Sequence, residues 1–315
     1  MLRTGAQLVG LGLLALAATA QATTSIEWEI SPDVPSDRRA LLEDALPRIA
    51  AAAEERFGAS SERVRVVAAA DYLVVARAYA QQENITGDVE RFVRTWEGRS
   101  RFLAAGESIF YVVNDEAPKS DALLRALAHE YFHVLQHAAS GPLQSVSTRD
   151  DLGAAGPLWL VEGSAEYAQR LLTSDAGLYC DDLDRDRIYR EAARSDAGLG
   201  DLETKTQNDL EDGAGYTVGA VAVEVLARER GDAAILDYFS GLRGARDWNA
   251  SFEDAFGMPP AIFHAAFETA RKGFAPTGTR LPMDCVKYVV RSIPEPGISL
   301  VGAAVSIAVV LACRR

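Results

Sequence analysis

The first part of the chain alternates between strand-like and helix-like spacing of its apolar residues. Three runs have strand character, either alternating or apolar throughout, and helical spacing fills two intervals between them. In order, the predicted elements are a strand at Ile26–Ile30, a helix at Ser36–Phe57, a strand at Arg63–Ala69, a helix at Asp71–Gln82 and a strand at Ser108–Val113. The stretch 84–101 is ambiguous. The pattern therefore predicts a mixed α/β unit over residues 23–118.

Helical spacing dominates from residue 119 to 275. One helix is predicted from Ser120 or Asp121 to about Ala139, and Pro157 opens another after a connection rich in Gly, Ser and Asp. Further helices fit residues 184–195, 213–230, 232–242 and 259–272. We predict an α+β fold in which a small mixed α/β N-terminal lobe precedes a mainly helical lobe. The active-site cleft is expected between the two lobes, with Ser108–Val113 at its edge as a strand that binds extended peptide.

The N-terminal segment has the features of a signal peptide. Residues 1–22 begin with a short region containing Arg3, continue as an apolar run and end in Ala20-Gln21-Ala22, the pattern that signal peptidase accepts. The alternatives are a buried first helix or a membrane anchor, but the apolar run is short for a bilayer span.

The C-terminal segment indicates a second sorting signal. After a linker over residues 276–293, Pro294-Glu295-Pro296 precedes an uncharged stretch and the terminal Arg314-Arg315. Residues 294–315 resemble a PEP-CTERM sorting tail with a short transmembrane helix, which an exosortase-like enzyme removes in bacteria. A plain C-terminal anchor is the alternative. Both segments predict export to the bacterial cell envelope, or to the extracellular matrix after processing, with membrane attachment through the tail before it.

Charge and cysteine content restrict the partners. The chain has 32 Lys and Arg against 45 Asp and Glu, a formal net charge of −13, so nucleic-acid binding is not expected. Export would place Cys180 and Cys285 in an oxidising compartment, and we hypothesise that they form a disulfide.

The clearest chemical pattern is His129-Glu130-Tyr131-Phe132-His133 on a predicted helix. Residues four apart lie on one face, so both imidazoles can bind one zinc ion, while Glu130 can accept a proton from activated water. His137 lies one turn further along, too far for three stacked turns to converge on one ion, and is interpreted as a supporting or surface residue. Two surface histidines on an ordinary amphipathic helix are the alternative for the motif itself.

A third zinc ligand is expected downstream, and Glu162 is the candidate. It lies in Leu158-Trp159-Leu160-Val161-Glu162-Gly163-Ser164-Ala165-Glu166-Tyr167, an otherwise apolar run where an ionised carboxylate is costly unless it is paired or metal-bound. Gly163 would let another helix pack closely. The alternative is a glutamate paired with Arg170.

These two segments, HEYFHVLQ and WLVEGSAEY, resemble the gluzincin metallopeptidases, and most closely the peptidase-MA-like sets. The resemblance implies a zincin-like fold, one Zn²⁺ ion held by His129, His133 and Glu162, and a peptide or protein substrate. The 28 residues between His133 and Glu162 exceed the spacing of the aminopeptidases. Tyr216-Thr217-Val218-Gly219-Ala220 is similar to the segment whose tyrosine steadies the oxyanion in the aminopeptidase-like branch, which implies that role for Tyr216. A core tyrosine is the alternative.

The sequence therefore predicts an exported zinc peptidase that uses a metal-activated water with Glu130 as general base. A non-enzymatic, zinc-stabilised envelope or matrix protein is the alternative. A structural zinc site does not need a carboxylate beside its first ligand, and this favours the enzyme.

Overall fold

A computed structural model describes most of the central chain. The described residues are 24–85, 89–94, 97, 101–113, 120–141, 156–180, 182–203, 213–243 and 247–273. The strands in this part of the chain are β1 (Ser25–Ile30), β2 (Arg63–Ala69), β3 (Arg101–Ala105) and β4 (Ser108–Val112). The helices are α1 (Ser36–Phe57), α2 (Tyr72–Gln82), α3 (Val89–Arg94), α4 (Ser120–Ser140), α5 (Leu158–Asp175), α6 (Asp182–Arg194), α7 (Leu199–Leu202), α8 (Ala214–Arg230), α9 (Ala233–Gly241), α10 (Trp248–Phe256) and α11 (Pro260–Arg271).

The four strands form one sheet in the order β1–β2–β4–β3. The first three strands in this order are parallel, and β3 pairs antiparallel with β4 at the end of the sheet. All five residues of β4 are buried, as expected for a central strand whose two faces are both covered. The expectation that Ser108–Val113 binds extended peptide as an added strand is therefore wrong, because β4 already pairs on both sides and β3 occupies the end position.

Alternation along β2 divides the core between the two faces of the sheet. Val64 and Val66 belong to a large buried cluster that includes side chains of α1, α4, α5, α8 and α9. Val67 belongs to a smaller cluster on the other face, which α2 covers with Val75 and Tyr79. The large cluster joins the sheet directly to the helical remainder.

The helical remainder is arranged around α5, which packs against α4 on one side and α8 on the other. Gly163 and Gly219 meet where α5 and α8 cross: a Cβ atom on Gly163 would overlap the backbone of Gly219, and one on Gly219 would approach the Gly163 Cα to 3.1 Å. The expected close approach of a second helix at Gly163 is thus present, and it depends on both glycines lacking a side chain.

The coarse fold prediction is confirmed as a mixed α/β protein with a mostly helical remainder. Every predicted strand and helix has a counterpart whose ends differ by at most a few residues. The strand β3 and the helices α3, α7 and α10 were not predicted. The division into two lobes with a cleft between them, and the domain boundaries, stay predictions.

Several expectations concern parts of the chain outside the described residues. These are the signal peptide (1–22), the linker (276–293) and the sorting tail (294–315) with its membrane-spanning stretch. Among the described helices, none is long and apolar enough to cross a membrane. Cys180 is disulfide-bonded, and the other two cysteines lie outside the described residues, so its pairing with Cys285 stays a hypothesis.

Candidate metal centre

Helix α4 presents the two histidines on one face, as their spacing predicts. The Nε2 atoms of His129 and His133 lie 3.0 Å apart. The two rings are nearly perpendicular, with centroids 4.7 Å apart. Both side chains are largely buried, at 12% and 18% exposure. The motif therefore lies inside the fold and not on a solvent-exposed helix face, which excludes the surface-histidine alternative.

Helix α5 brings Glu162 to the same point. Its Oε2 atom lies 3.2 Å from His129 Nε2 and 3.4 Å from His133 Nε2. Glu162 is buried, at 4% exposure. Arg170, the partner considered as an alternative, instead forms an ion pair with Glu224 at 2.9 Å.

These three side chains fit a zinc ion by donor chemistry and by spacing. Two imidazole nitrogens and one carboxylate oxygen, with a position left for water, are a common ligand set of catalytic zinc. Donors at 2.0–2.1 Å from a tetrahedral ion lie about 3.4 Å from one another. The observed separations of 3.0, 3.2 and 3.4 Å are close to that value. Among the described residues, this is the group that could hold a metal ion.

The buried carboxylates beside the histidines have shifted pKa values in opposite directions. Burial raises the pKa of Glu162, but the charge of His133 and hydrogen bonds from both histidines outweigh it, so its pKa lies well below the usual range. Burial raises the pKa of Glu130, and the charges of His129 and His133 only partly offset this. Glu162 is therefore held ionised, whereas Glu130 binds a proton more readily than an exposed glutamate does.

A second glutamate of α5 supports the site and was missed by the sequence reasoning. Glu166 Oε2 lies 3.7 Å from His129 Nδ1, on the side of the ring away from Glu162. Its position four residues after Glu162 places it on the same helix face, and this spacing could have identified it.

Helix α8 places Tyr216 beside His129. The ring centroids of Tyr216 and His129 lie 6.3 Å apart. Gly219 lies one turn later at the crossing with Gly163, so the glycine contact brings the start of α8 against the metal group. The role of Tyr216 stays a prediction. His137 is partly buried and lies outside the group that could hold a metal.

A pocket of about 350 Å³ opens beside the metal group. It lies between the end strand β3, the first half of α4, and α5. Its walls are formed by Phe102, Ala122, Arg125, Ala126, His129, Glu130 and Gln169. Glu130 therefore borders this open space.

Comparisons with known proteins bear on the class of this site. Residues 122–234 match the model of the Peptidase_M61 family, described as M61 glycyl aminopeptidase. This segment includes the whole metal group and Tyr216. No curated protein matches the chain.

Two solved structures are similar to the chain. One is an M1 zinc metallopeptidase from Deinococcus radiodurans, and the other is a mutant two-domain M1 zinc metallopeptidase bound to L-arginine. Each is 17% identical, with a TM-score of 0.42 over 79% of this chain. The chain spans about half of their length, with 46% of each covered.

The family match over residues 122–234 and the histidine–histidine–glutamate group within them support a zinc metallopeptidase, a hydrolase whose cofactor is zinc. This class agrees with the resemblance to gluzincins and disfavours the alternative of a purely structural zinc protein.

Proposed function

We propose that this protein hydrolyses peptide bonds in peptide or protein substrates, with one zinc ion held by His129, His133 and Glu162 and with Glu130 as general base. The observation that carries the proposal is the geometry of the metal group. Three donor atoms from two helices converge at zinc-ligand spacing, and a buried carboxylate that does not belong to the group follows the first histidine.

Each residue has a separate chemical task. Zinc, when bound at such a site, lowers the pKa of water to about 7 and polarises a carbonyl group. Glu130 accepts a proton from the attacking water and returns it to the leaving amine. Glu130 is buried next to the first histidine of the metal group, where its carboxylate can take a proton from the attacking water and pass it to the leaving amine.

Strand β3 supports the binding of an extended substrate next to Glu130. The backbone at Ala104 hydrogen-bonds the Glu130 carboxylate, which connects the base to the end strand. The outer edge of β3 offers backbone groups to which an extended peptide can add as a further strand. Phe102 of β3 also lines the pocket, which can receive a substrate side chain.

Tyr216 is proposed to donate a hydrogen bond to the oxyanion that forms during attack. Its ring lies beside His129, on a different helix from the base. A donor directed at developing negative charge lowers the barrier without changing the metal ligands.

Export remains part of the proposal. It is supported by the sequence pattern of residues 1–22 and 294–315, which would require a signal peptidase and an exosortase-like enzyme as processing partners. Cell fractionation, together with mass spectrometry of the mature termini, tests it. Full-length protein retained in the cytoplasm would contradict it.

Metal analysis combined with a cleavage assay tests the enzymatic proposal. We expect one zinc per chain, cleavage of an unfolded protein, loss of cleavage with a chelator and recovery after zinc is added. A peptide pair with a free and an acetylated N-terminus separates removal of the first residue from internal cleavage. Zinc-loaded protein that cleaves no peptide of either kind would contradict the proposed activity.

A further inference from the structure

Gln136 joins the second histidine of the motif to the helix that carries the third metal ligand. Its Oε1 atom lies 2.7 Å from His133 Nδ1. Its Nε2 atom donates to the carbonyl oxygen of Val161 at 2.9 Å and to Ser164 Oγ at 2.8 Å. Gln136 is 4% exposed, so these contacts are shielded from water. One buried side chain thus connects the His133 imidazole of α4 to Val161 and Ser164, which lie one residue before and two residues after Glu162 in α5.

The carbonyl oxygen of Val161 determines the orientation of the Gln136 amide. A backbone carbonyl can only accept, so the amide nitrogen must face it and the amide oxygen must face His133. Ser164 agrees with this orientation, because its hydroxyl proton is directed to the Leu160 carbonyl at 2.6 Å or the Val161 carbonyl at 3.0 Å. The serine oxygen is then left to accept from Gln136. In this orientation every donor faces an acceptor. Gln136 Nε2 faces the Val161 carbonyl and Ser164 Oγ, and Gln136 Oε1 faces His133 Nδ1.

The amide orientation in turn determines the tautomer of His133. Because Gln136 presents an acceptor, Nδ1 of His133 must carry a proton and donate it. In a neutral imidazole this leaves the lone pair on Nε2, the atom that lies 3.4 Å from Glu162 Oε2. The hydrogen bond from Nδ1 therefore leaves Nε2 as the nitrogen through which the neutral imidazole can bind a metal.

We propose that Gln136 is a positioning residue for the zinc site, fixing His133 in its Nδ1-protonated form and aligning that imidazole with Glu162. The inference rests on the proposed zinc site and extends it to a residue that neither binds metal nor contacts substrate. Gln136 contacts the His133 imidazole of α4 and the Val161 backbone of α5. Its removal should therefore weaken zinc binding although all three metal ligands remain.

Zinc affinity measured by chelator competition on the metal-free protein tests this role. Gln136→Met keeps the length of the side chain but removes both the acceptor and the donor. We expect its zinc affinity to fall about 10–100-fold, the range typical for loss of a hydrogen-bond partner of a metal-binding histidine. Gln136→Glu keeps an acceptor for His133 but loses the donor to Val161, so it should recover part of that loss. Wild-type affinity in Gln136→Met, or equal losses in both variants, would overturn the proposal.

Thr173→Ala is the matched control. Thr173 is buried in the same helix as Glu162, and its hydroxyl donates to the Gln169 carbonyl at 2.7 Å, away from the metal group. We expect it to lower the unfolding temperature without changing zinc affinity. If its zinc affinity falls as far as that of Gln136→Met, general loosening of α5 explains both results and the proposal is wrong.

A spectroscopic measurement on the unmodified protein does not depend on how the variants fold. The chain has four histidines, so long-range proton–nitrogen spectra of histidine-labelled, zinc-loaded protein can be assigned. We expect a protonated Nδ1 at His133, whereas a protonated Nε2 there would overturn the proposal. Neither the protonation state of His133 nor the zinc affinity is measured with substrate present. Zinc binding without peptide cleavage would therefore contradict the proposed enzyme activity and leave this inference standing.

Discussion

The two ends of the α5–α8 pair each bury a glutamate, and the two glutamates are compensated in different ways. Glu162 of α5 faces the imidazoles of His129 and His133 at 3.2 and 3.4 Å. Glu224 of α8 is equally buried but has three cationic partners. These are Arg170, Arg185 and Arg228, each in contact with a Glu224 carboxylate oxygen.

The difference separates a structural ion pair from a ligand site. Arginine is always charged and carries several donors, so Glu224 is satisfied by the protein alone. An imidazole has a free lone pair in its neutral form, so two imidazoles beside a carboxylate are a ligand set that a divalent cation can complete. Gly163 directly follows Glu162, so one helix pair supplies both the close glycine contact and a residue of the metal group. Changes at the two ends should therefore have separable effects.

The largest expected effect is on catalysis, from Glu130→Gln. The amide cannot accept the proton from water, so we expect kcat to fall about 10³–10⁴-fold while zinc stoichiometry stays at one. Steady-state cleavage rates and metal analysis on the same sample measure both quantities. Unchanged kcat would show that another group is the base.

At the other end, Glu224→Gln should affect the fold and leave the metal in place. It leaves the buried Arg170 without a full countercharge, and breaking a buried ion pair costs about 3–5 kcal/mol of unfolding free energy. Denaturant unfolding of the metal-free protein measures this loss, and zinc titration of the folded variant should match wild type. If zinc affinity instead falls while stability is kept, the two ends are not independent.

Glu162→Ala should give the opposite result. Zinc binding of about 10–16 kcal/mol is shared among the ligands, so losing one of three protein ligands costs at least about 3 kcal/mol, more than a hundredfold in affinity. Because zinc stabilises only the folded form, the rise in unfolding temperature on adding zinc should shrink in parallel. Full zinc stoichiometry after dialysis against a weak chelator would exclude Glu162 as a ligand.

Much of the fold follows from local patterns in the sequence, but β3 does not. The residues Arg101–Ala105 contain an arginine and two alanines and lack the β-branched residues that mark a strand. Their strand conformation comes from pairing with β4, where Leu103 lies opposite Phe110. The end position of β3, and hence the central position of β4, follows from this pairing and not from a local pattern.

In the candidate site, too, some residues could be predicted from local sequence patterns and others could not. His129, Glu130 and His133 follow from helical spacing alone, and Glu162 from a charge within an apolar run. The partner of Gln136 could not be predicted, because its contact with Val161 spans 25 residues and exists only once α4 and α5 pack. Spacing brings residues onto one face of a helix, but which face meets which neighbour is determined by tertiary packing.

Tyr216→Phe tests the contribution of α8 at the metal end. Loss of one donor to an oxyanion lowers kcat by about 10²-fold, and the phenyl ring preserves the packing against His129. We expect zinc affinity and unfolding temperature to stay at wild-type values, in contrast to Glu162→Ala. A kcat equal to wild type would assign Tyr216 to the core, the alternative role for this residue.

Arg228→Gln should have the smallest effect on the free energy of unfolding. It tests whether the arginines around Glu224 contribute according to their burial. Arg228 contacts the same carboxylate as Arg170, but its side chain is 53% exposed and lies four residues from Glu224 on the same helix. Exposed pairs of this kind contribute about 0.3–0.5 kcal/mol, because water screens them and ordering the side chain costs entropy. Denaturant unfolding should therefore show a loss below about 1 kcal/mol, whereas Arg170→Met, which removes the most buried of the three arginines from Glu224, should cost several times more. Equal losses for the two arginines would mean that burial does not set the strength of this cluster, and the contrast drawn between the two buried glutamates would lose its physical basis.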